Sequence, residues 1–154
     1  MFKVGVGQAD DIDTLEATRA AIARSRIHLG GIQPQAGIIL CSSNVDHRQM
    51  LDTIFESFPG ISLLGCTTAG DFSGSYGFSD DSITLILFCS NTIEIRAGLG
   101  RNVSRDYKNA VCSAVNQAQE GLIQSASLCI ALPDLFYNSA NQLVEDSTKG
   151  FDVR

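Results

Sequence analysis

The stretch Ala36-Gly-Ile-Ile-Leu-Cys41 is a continuous apolar run in which β-branched residues are frequent. Such a run is typical of a strand that is buried on both faces of a sheet. Two shorter apolar runs, Phe2 to Val6 and Ile61 to Gly65, precede and follow it along the chain. Helical patterns separate the three runs, one from Asp13 to about Leu29 and one from about Asp46 to Phe58. Strands that alternate with helices predict right-handed crossovers and a largely parallel sheet.

Start and stop signals support both helices. Asp13-x-x-Glu16 resembles a capping box, in which side-chain carboxylates accept from the free N–H groups of the first turn. Gly30-Gly31 follows the first helix with residues that readily adopt positive φ, and Pro59-Gly60 ends the second.

The second half of the chain changes pattern. Ser82 to Cys89 is apolar at successive positions, whereas Ile93 to Leu99 alternates apolar with polar residues, so we expect these two segments to form an antiparallel hairpin. The remaining predicted elements are a helix from Ser104 to about Gly121, a strand from Ser127 to Leu132 and a last helix opened by Ser139-x-x-Gln142. The predicted fold is α/β, with three layers: a mixed, largely parallel sheet with helices on both faces and a later antiparallel hairpin, within one domain over residues 1–154.

Composition excludes several classes of protein. With 44% hydrophobic and 18% charged residues, the chain can form an ordinary packed core. The formal net charge of −6 argues against a nucleic-acid partner. The five cysteines are odd in number and form no Cys-x-x-Cys pair, which indicates reduced, buried thiols without disulfides. The longest apolar run is far too short to cross a bilayer, and Met1-Phe2-Lys3 leads directly into a strand without a signal peptide. We therefore expect a soluble cytoplasmic protein with no membrane partner.

No cofactor or metal motif is complete. Gly5-Val6-Gly7 follows the first strand, but the third glycine of a dinucleotide-binding pattern would fall at Asp10, whose carboxylate would repel a pyrophosphate. His28 and His47 stand outside any metal-binding pattern, and structural or solvated roles are favoured for both. We predict neither a cofactor nor a metal site.

The segment from Gly65 to Asp71 is the most informative for function. It is composed of small residues, so its backbone can approach a ligand closely while hydroxyl and N–H groups orient polar atoms. It also follows a strand, at the carboxyl edge where open α/β sheets bind ligands. The alternative is a tight crossover whose glycines only permit unusual dihedral angles. The candidate ligand-binding residues are Gly65, Cys66, Thr67, Thr68, Ala69, Gly70 and Asp71, with Ser42, Ser43 and Asn44 from the neighbouring strand end.

Leu64-Gly-Cys-Thr-Thr-Ala-Gly-Asp-Phe72, followed by a glycine-containing loop and an apolar strand, resembles the N-terminal FIST domain pattern Gly-Cys-(Ser/Thr)-(Thr/Ser)-Ala-Gly-(Glu/Asp). Asp71 stands where glutamate is common, which keeps the charge and shortens the reach. The resemblance covers most of the chain. It implies a bacterial sensory domain that recognises small ligands such as amino acids and is joined to a C-terminal FIST domain or a signalling output module. Because the family domain commonly extends further, the resemblance also implies a C-terminally truncated portion.

Two other functions are compatible with the residues. In an enzyme, Cys66 would be a nucleophile, with His28 or His47 as its base and nearby backbone N–H groups as oxyanion donors. In an assembly domain, the half-exposed segment Ile93 to Leu99 would pair with another chain at a sheet edge, although Glu94 and Arg96 discourage such pairing. The leading hypothesis is a ligand-binding sensory module without catalytic activity.

Overall fold

The computed structural model of the protein describes residues 1–134. The chain divides into two compact units, Met1–Ile95 and Arg96–Arg154. The last predicted helix, opened by Ser139, lies outside the described residues. The elements are β1 (Phe2–Ala9), α1 (Thr14–Ile27), β2 (Ala36–Ser42), α2 (His47–Ser57), β3 (Ser62–Thr68), β4 (Asp71–Ser73), β5 (Gly77–Ser79), β6 (Ile83–Ser90) and α3 (Tyr107–Gln119).

The first unit is built on a four-stranded sheet with the order β1-β6-β2-β3. β2 pairs with β3 in parallel, whereas β6 pairs antiparallel with both β1 and β2. The predicted α/β class and mixed sheet are confirmed. The predicted largely parallel pairing is corrected, because β6 inserts between β1 and β2 and makes two of the three pairings antiparallel. β1, β2 and β3 nevertheless run in the same direction, as the alternation of strands and helices indicated.

Both helices of the first unit pack on one face of this sheet. α1 lies very close to β1. A Cβ at Gly5 would stand 2.1 Å from the carbonyl oxygen of Ser25, and one at Gly7 would stand 2.0 Å from that of Ala21. Buried residues of α2, such as Ile54, belong to the same hydrophobic core as the strand residues that face α1. Within this unit the structure therefore has two layers, where helices on both faces of the sheet were predicted.

Aspartates cap the amino ends of the helices. Asp13 Oδ1 accepts hydrogen bonds from the backbone N–H groups of Leu15 and Glu16, at 2.8 and 3.1 Å. The reciprocal half of the expected capping box is absent, because Glu16 instead pairs with Arg19 and the N–H of Asp13 donates to Asp11. The caps of α2 and α3 are Asp46 and Asp106, so the second replaces the expected Ser104.

The predicted hairpin between Ser82 to Cys89 and Ile93 to Leu99 is wrong. Both edges of β6 are occupied by β1 and β2, so no edge remains for a following strand. The chain turns away instead, and Ser90 Oγ accepts from the N–H groups of Thr92 and Ile93. The antiparallel hairpin within residues 1–134 is β4–β5, which lies inside the segment that was predicted as a loop. Ser127 to Leu132 also contains no strand.

The cysteines are all free thiols, but only Cys41 and Cys89 are buried. Cys66 is partly exposed, and Cys112 and Cys129 are exposed, which corrects the expectation of buried thiols throughout.

The contact between β1 and α1 makes a test of the packing. We expect Gly7→Ala to lower the free energy of unfolding by about 1–3 kcal/mol, because its methyl group would overlap the backbone of α1. Gly74→Ala is the matched control, since a Cβ there meets nothing within 4 Å and the change should stay within about 0.5 kcal/mol. Urea unfolding measures both, and equal effects of the two substitutions would contradict this packing.

Candidate functional site

Polar residues gather at one end of the four-stranded sheet. The carboxyl ends of β1, β2 and β3 meet there because these strands run in the same direction, and the amino end of antiparallel β6 joins them. Ser42 stands opposite Thr68 in the register, and Gln8 stands opposite Thr84. The N–H of Ser42 also donates to the carbonyl of Ser82 at 3.1 Å. Insertion of β6 thus brings residues that are distant in sequence to one place.

Asp71 is the centre of this group. The residue is 4% exposed, and its two carboxylate oxygens accept from Thr68 Oγ1 at 2.7 Å and from Ser82 Oγ at 3.1 Å. Gln8 Nε2 donates to the backbone carbonyl of Asp71 at 3.3 Å. No lysine or arginine within residues 1–134 forms an ion pair with this carboxylate. The buried carboxylate therefore has only neutral hydroxyl donors, although its two oxygens can accept further hydrogen bonds and its charge has no cationic partner in this part of the chain.

A second, more exposed group lies beside the first. Asp81 Oδ1 accepts from Ser42 Oγ at 2.7 Å and from Asn44 Nδ2 at 3.1 Å, and the N–H of Asn44 donates to Ser42 Oγ at 3.2 Å. The structure thus brings two of the three candidate residues from the end of β2 together around a carboxylate. Ser43 is exposed and forms no part of these contacts.

The predicted loop from Gly65 to Gly70 is largely strand, because β3 continues to Thr68. Neither Gly65 nor Gly70 has a positive φ. Protein atoms lie close to each: a Cβ at Gly65 would stand 2.0 Å from the Ile39 carbonyl oxygen, and one at Gly70 would stand 2.8 Å from the Phe78 ring. Close backbone packing therefore explains Gly65 without a ligand, whereas the contact at Gly70 is with the far end of the exposed Phe78 ring, which has room to move. Thr67 and Ala69 are exposed.

The thiols near Asp71 are electrostatically disfavoured as thiolates. Burial raises the pKa of Cys66, and the carboxylate of Asp71 raises it further. Burial raises the pKa of Cys41 from 9.0 to about 11, with smaller contributions from Asp71 and Cys66. Both thiols are protonated near neutral pH, so neither is prepared for nucleophilic attack.

The histidines lie at helix termini, as predicted. His28 is the C-cap of α1 and His47 is the first residue of α2, and both are exposed. Neither imidazole makes a hydrogen bond to another described residue. The pKa of Cys66 is set by burial and Asp71, without a contribution from either histidine.

Sequence reasoning missed four members of the site, which are Gln8, Asp81, Ser82 and Thr84. A signal was available for Gln8, because it shares an alternating face of β1 with Val4 and Val6 and interrupts that apolar pattern. Its meaning depended on β6 as a neighbour, which the sequence did not predict.

Two surface cavities of the described residues lie elsewhere, in the second unit beside α3. The larger measures about 710 Å³ and is open; the other measures about 430 Å³ and contacts Asn102 and Asp106. The polar groups that line the smaller cavity already form hydrogen bonds with one another. Asp106 accepts from the N–H of Asn109, and Gln117 bonds both the N–H and the carbonyl of Leu99. The group around Asp71 is the stronger candidate because its polar atoms are buried and converge on one charge.

Within residues 1–134 no cluster of three or more histidine, cysteine or acidic side chains has the arrangement of a metal site. In the same part of the chain, no helix has the length and apolar character that crossing a bilayer requires.

Comparison with known proteins identifies one family. The sequence model of the FIST N domain matches residues 35–153, which is more than half of the chain and includes the segment from Gly65 to Asp71. No curated protein matches the chain.

The raised pKa of Cys66 makes its alkylation diagnostic. We expect its rate with iodoacetamide to keep rising above pH 9, because the thiolate forms only at high pH. Peptide mass spectrometry isolates Cys66 from the exposed thiols, and reduced glutathione serves as the reference thiol. A rate that levels off below about pH 7 would show an activated nucleophile and contradict this reading.

Cys41 predicts a pH dependence of stability. The pKa of this thiol is higher in the folded protein than in the unfolded chain. Its contribution to the free energy of unfolding is therefore complete below pH 9 and is lost as pH rises toward about 11. In this window the thiol should lower the free energy of unfolding by about 1.4 kcal/mol per pH unit. Urea unfolding from pH 8 to 11 should show a slope that is reduced in Cys41→Ala and retained in Cys112→Ala. The same slope in all three proteins would refute the assignment.

Proposed function

We propose that the chain, which belongs to the FIST N domain family, is a small-ligand-binding sensory input module of bacterial signal transduction. The FIST family consists of sensory signal-transduction domains and is not a known enzyme class. The observation that carries the proposal is the buried Asp71 carboxylate, which two hydroxyls contact at the end of the sheet. It belongs to the segment that the family model matches.

The site suits a small polar ligand such as an amino acid or a related metabolite. Its polar atoms come from three separate stretches of chain, which hydrogen bonds hold together around Asp71. Ser42, Asn44 and Asp81 add a second polar group at the same end of the sheet, where they can contact the exposed part of a ligand. Thr67, Ala69 and the partly exposed Cys66 border the two groups along β3.

The β4–β5 hairpin offers a route to a signalling partner. Its first residue is Asp71, and Phe72 and Phe78 form a cross-strand pair that is 78% and 65% exposed. Exposed aromatic residues are typical of interaction surfaces. We propose that a C-terminal FIST domain or a signalling output module reads the state of Asp71 through this hairpin.

The proposed setting is the bacterial cytoplasm, without nucleic acid or membrane as a partner. The net charge of −6 supports the first exclusion, since phosphate binding draws on clustered basic residues.

Cysteine-dependent catalysis is the weaker alternative. It requires Cys66 to be ionised near neutral pH, whereas burial and Asp71 both raise its pKa. A base at His28 or His47 would have to lie beside this thiol, and neither imidazole contributes to its pKa.

The proposed binding is tested with the 154-residue chain and a panel of the common amino acids and their deaminated analogues. We expect at least one compound to raise the melting temperature of the wild type. Asp71→Asn should weaken the apparent affinity for that compound at least ten-fold, which corresponds to about 1.4 kcal/mol of binding free energy. Asp80→Asn is the control, because this aspartate is exposed and makes none of the contacts of the site. Native mass spectrometry of freshly purified protein checks for a retained molecule. Equal affinities for Asp71→Asn and wild type would place the ligand elsewhere.

A further inference from the structure

Gln8 and Thr84 carry buried polar atoms without partners. The two residues are directly opposed in the pairing of β1 with β6 and are 3% and 4% exposed. Gln8 Oε1 and Thr84 Oγ1 are inaccessible to solvent, and neither has a hydrogen-bond partner among the described residues. An unpaired buried polar atom destabilises a protein, so its presence calls for an explanation.

The other buried hydroxyls of the first unit are paired. Thr18 Oγ1 donates to the carbonyl of Thr14 at 2.7 Å, Ser25 Oγ donates to that of Ile22 at 2.8 Å, and Ser82 Oγ donates to Asp71. The unpaired atoms are therefore confined to one cross-strand pair, at the polar end of the sheet. This location adjoins Asp71, because the amide of Gln8 contacts both Asp71 and Ser82.

The orientation of the Gln8 amide follows from its contacts. Nε2 lies 3.3 Å from the backbone carbonyl of Asp71, which can only accept, and 3.4 Å from Ser82 Oγ. A reversed amide would place Oε1 against that carbonyl oxygen, so the unpaired atom is the acceptor.

Hydrogen-bond donors in this cluster are almost all engaged. The two amide hydrogens of Gln8 serve Asp71 and Ser82, and the hydroxyls of Ser82 and Thr68 both donate to the Asp71 carboxylate. Gln8 Oε1 and the remaining lone pairs of the carboxylate are free to accept, and Thr84 supplies one uncommitted hydroxyl. The cluster is therefore rich in acceptors, and its missing partner must donate hydrogen bonds.

Charge narrows the class of partner. Asp71 has no ion pair within residues 1–134, and Arg24 instead bonds the backbone carbonyl of Gln8 and stacks over the Tyr76 ring. A cationic donor would satisfy both the acceptor atoms and the buried carboxylate. Directly opposed residues have Cβ atoms about 4.5–5.5 Å apart, so one nitrogen can reach both side chains.

We propose that Gln8 Oε1 and Thr84 Oγ1, together with the Asp71 carboxylate, receive a protonated amine of the ligand. This assignment rests on the proposed ligand-binding function and names the group that the site recognises. The unpaired atoms are then a destabilising feature of the ligand-free protein that binding relieves. Leu40 and Cys66 continue the same cross-strand row from Thr84 and supply less polar contacts for the carbon part of the ligand.

The first test compares two buried threonines in ligand-free protein. We expect Thr84→Val to raise the melting temperature by about 2–4 °C, because it removes an unpaired hydroxyl at nearly constant volume. Thr18→Val is the matched control and should lower it, because that hydroxyl has a partner. An unchanged or lower melting temperature for Thr84→Val would show that its hydroxyl is already satisfied and would overturn the proposal.

The second test uses ethylammonium chloride as the probe, with sodium chloride at the same ionic strength and ethanol as controls. We expect ethylammonium to raise the melting temperature of the wild type by about 2–4 °C at about five times its dissociation constant. Ethanol should have no such effect, and Thr84→Val and Gln8→Leu should abolish the rise. If Gln8→Leu fails to fold, Thr84→Val alone decides.

Absence of an ethylammonium-specific rise, or a rise that Thr84→Val retains, overturns the assignment. These outcomes are distinct from failure of the proposed function. A panel compound that binds wild type and Thr84→Val equally would leave a ligand-binding module in place and remove Gln8 and Thr84 from its site.

Discussion

Hydrogen bonding of β6 to β1 on one side and to β2 on the other holds the first unit together. Without this strand, β1 would have no partner in the sheet and the β2–β3 pair would stand apart. Its residues Leu85 and Leu87 are completely buried beneath the helices, so its hydrophobic contribution is also central. The same insertion delivers Ser82 and Thr84 to the carboxyl ends of β1, β2 and β3. The core and the candidate site therefore depend on one pairing.

The carboxylate of Asp71 explains both what this site favours and what it opposes. A buried negative charge that only hydroxyls contact attracts a cationic donor. Burial raises the pKa values of Cys41 and Cys66, and the same charge raises them further, so both thiols are protonated near neutral pH. The proposed amine site is thus poorly suited to a thiolate nucleophile. The electrostatics favour recognition over cysteine catalysis without any appeal to sequence family.

Local patterns predicted much of the fold, because each depends on residues close in sequence. The periodicities indicated α1, α2 and the strands up to β3, and the apolar run indicated β6. The order of the strands in the sheet could not be predicted, because an apolar sequence indicates a central strand but not which strands pair with it. The segment Ile93 to Leu99 shows the limit of alternation: it has the pattern of a strand, but β6 has no free edge for it.

The same distinction applies to the site. The Gly65 to Asp71 segment and the end of β2 were predicted as neighbours, because parallel strands end at the same edge, and the register of Ser42 with Thr68 agrees. Gln8, Ser82 and Thr84 were not predicted, because their proximity follows from a strand pairing between residues more than 70 positions apart. Gly65 was predicted to contact a ligand, yet the close backbone of Ile39 accounts for its small size.

Asp71 is also the point where recognition can become a signal. Its side chain lies among the buried hydroxyls, while its backbone begins β4 and places Phe72 in solvent beside Phe78. In the proposed site, a cation would bind the lone pairs of the carboxylate that Thr68 and Ser82 leave free, and its attraction would make the position of Asp71 depend on occupancy. Any displacement passes through one peptide bond to the exposed aromatic pair. A buried charge at the base of a short exposed hairpin is therefore a physical means by which a small ligand can change a surface available to a partner.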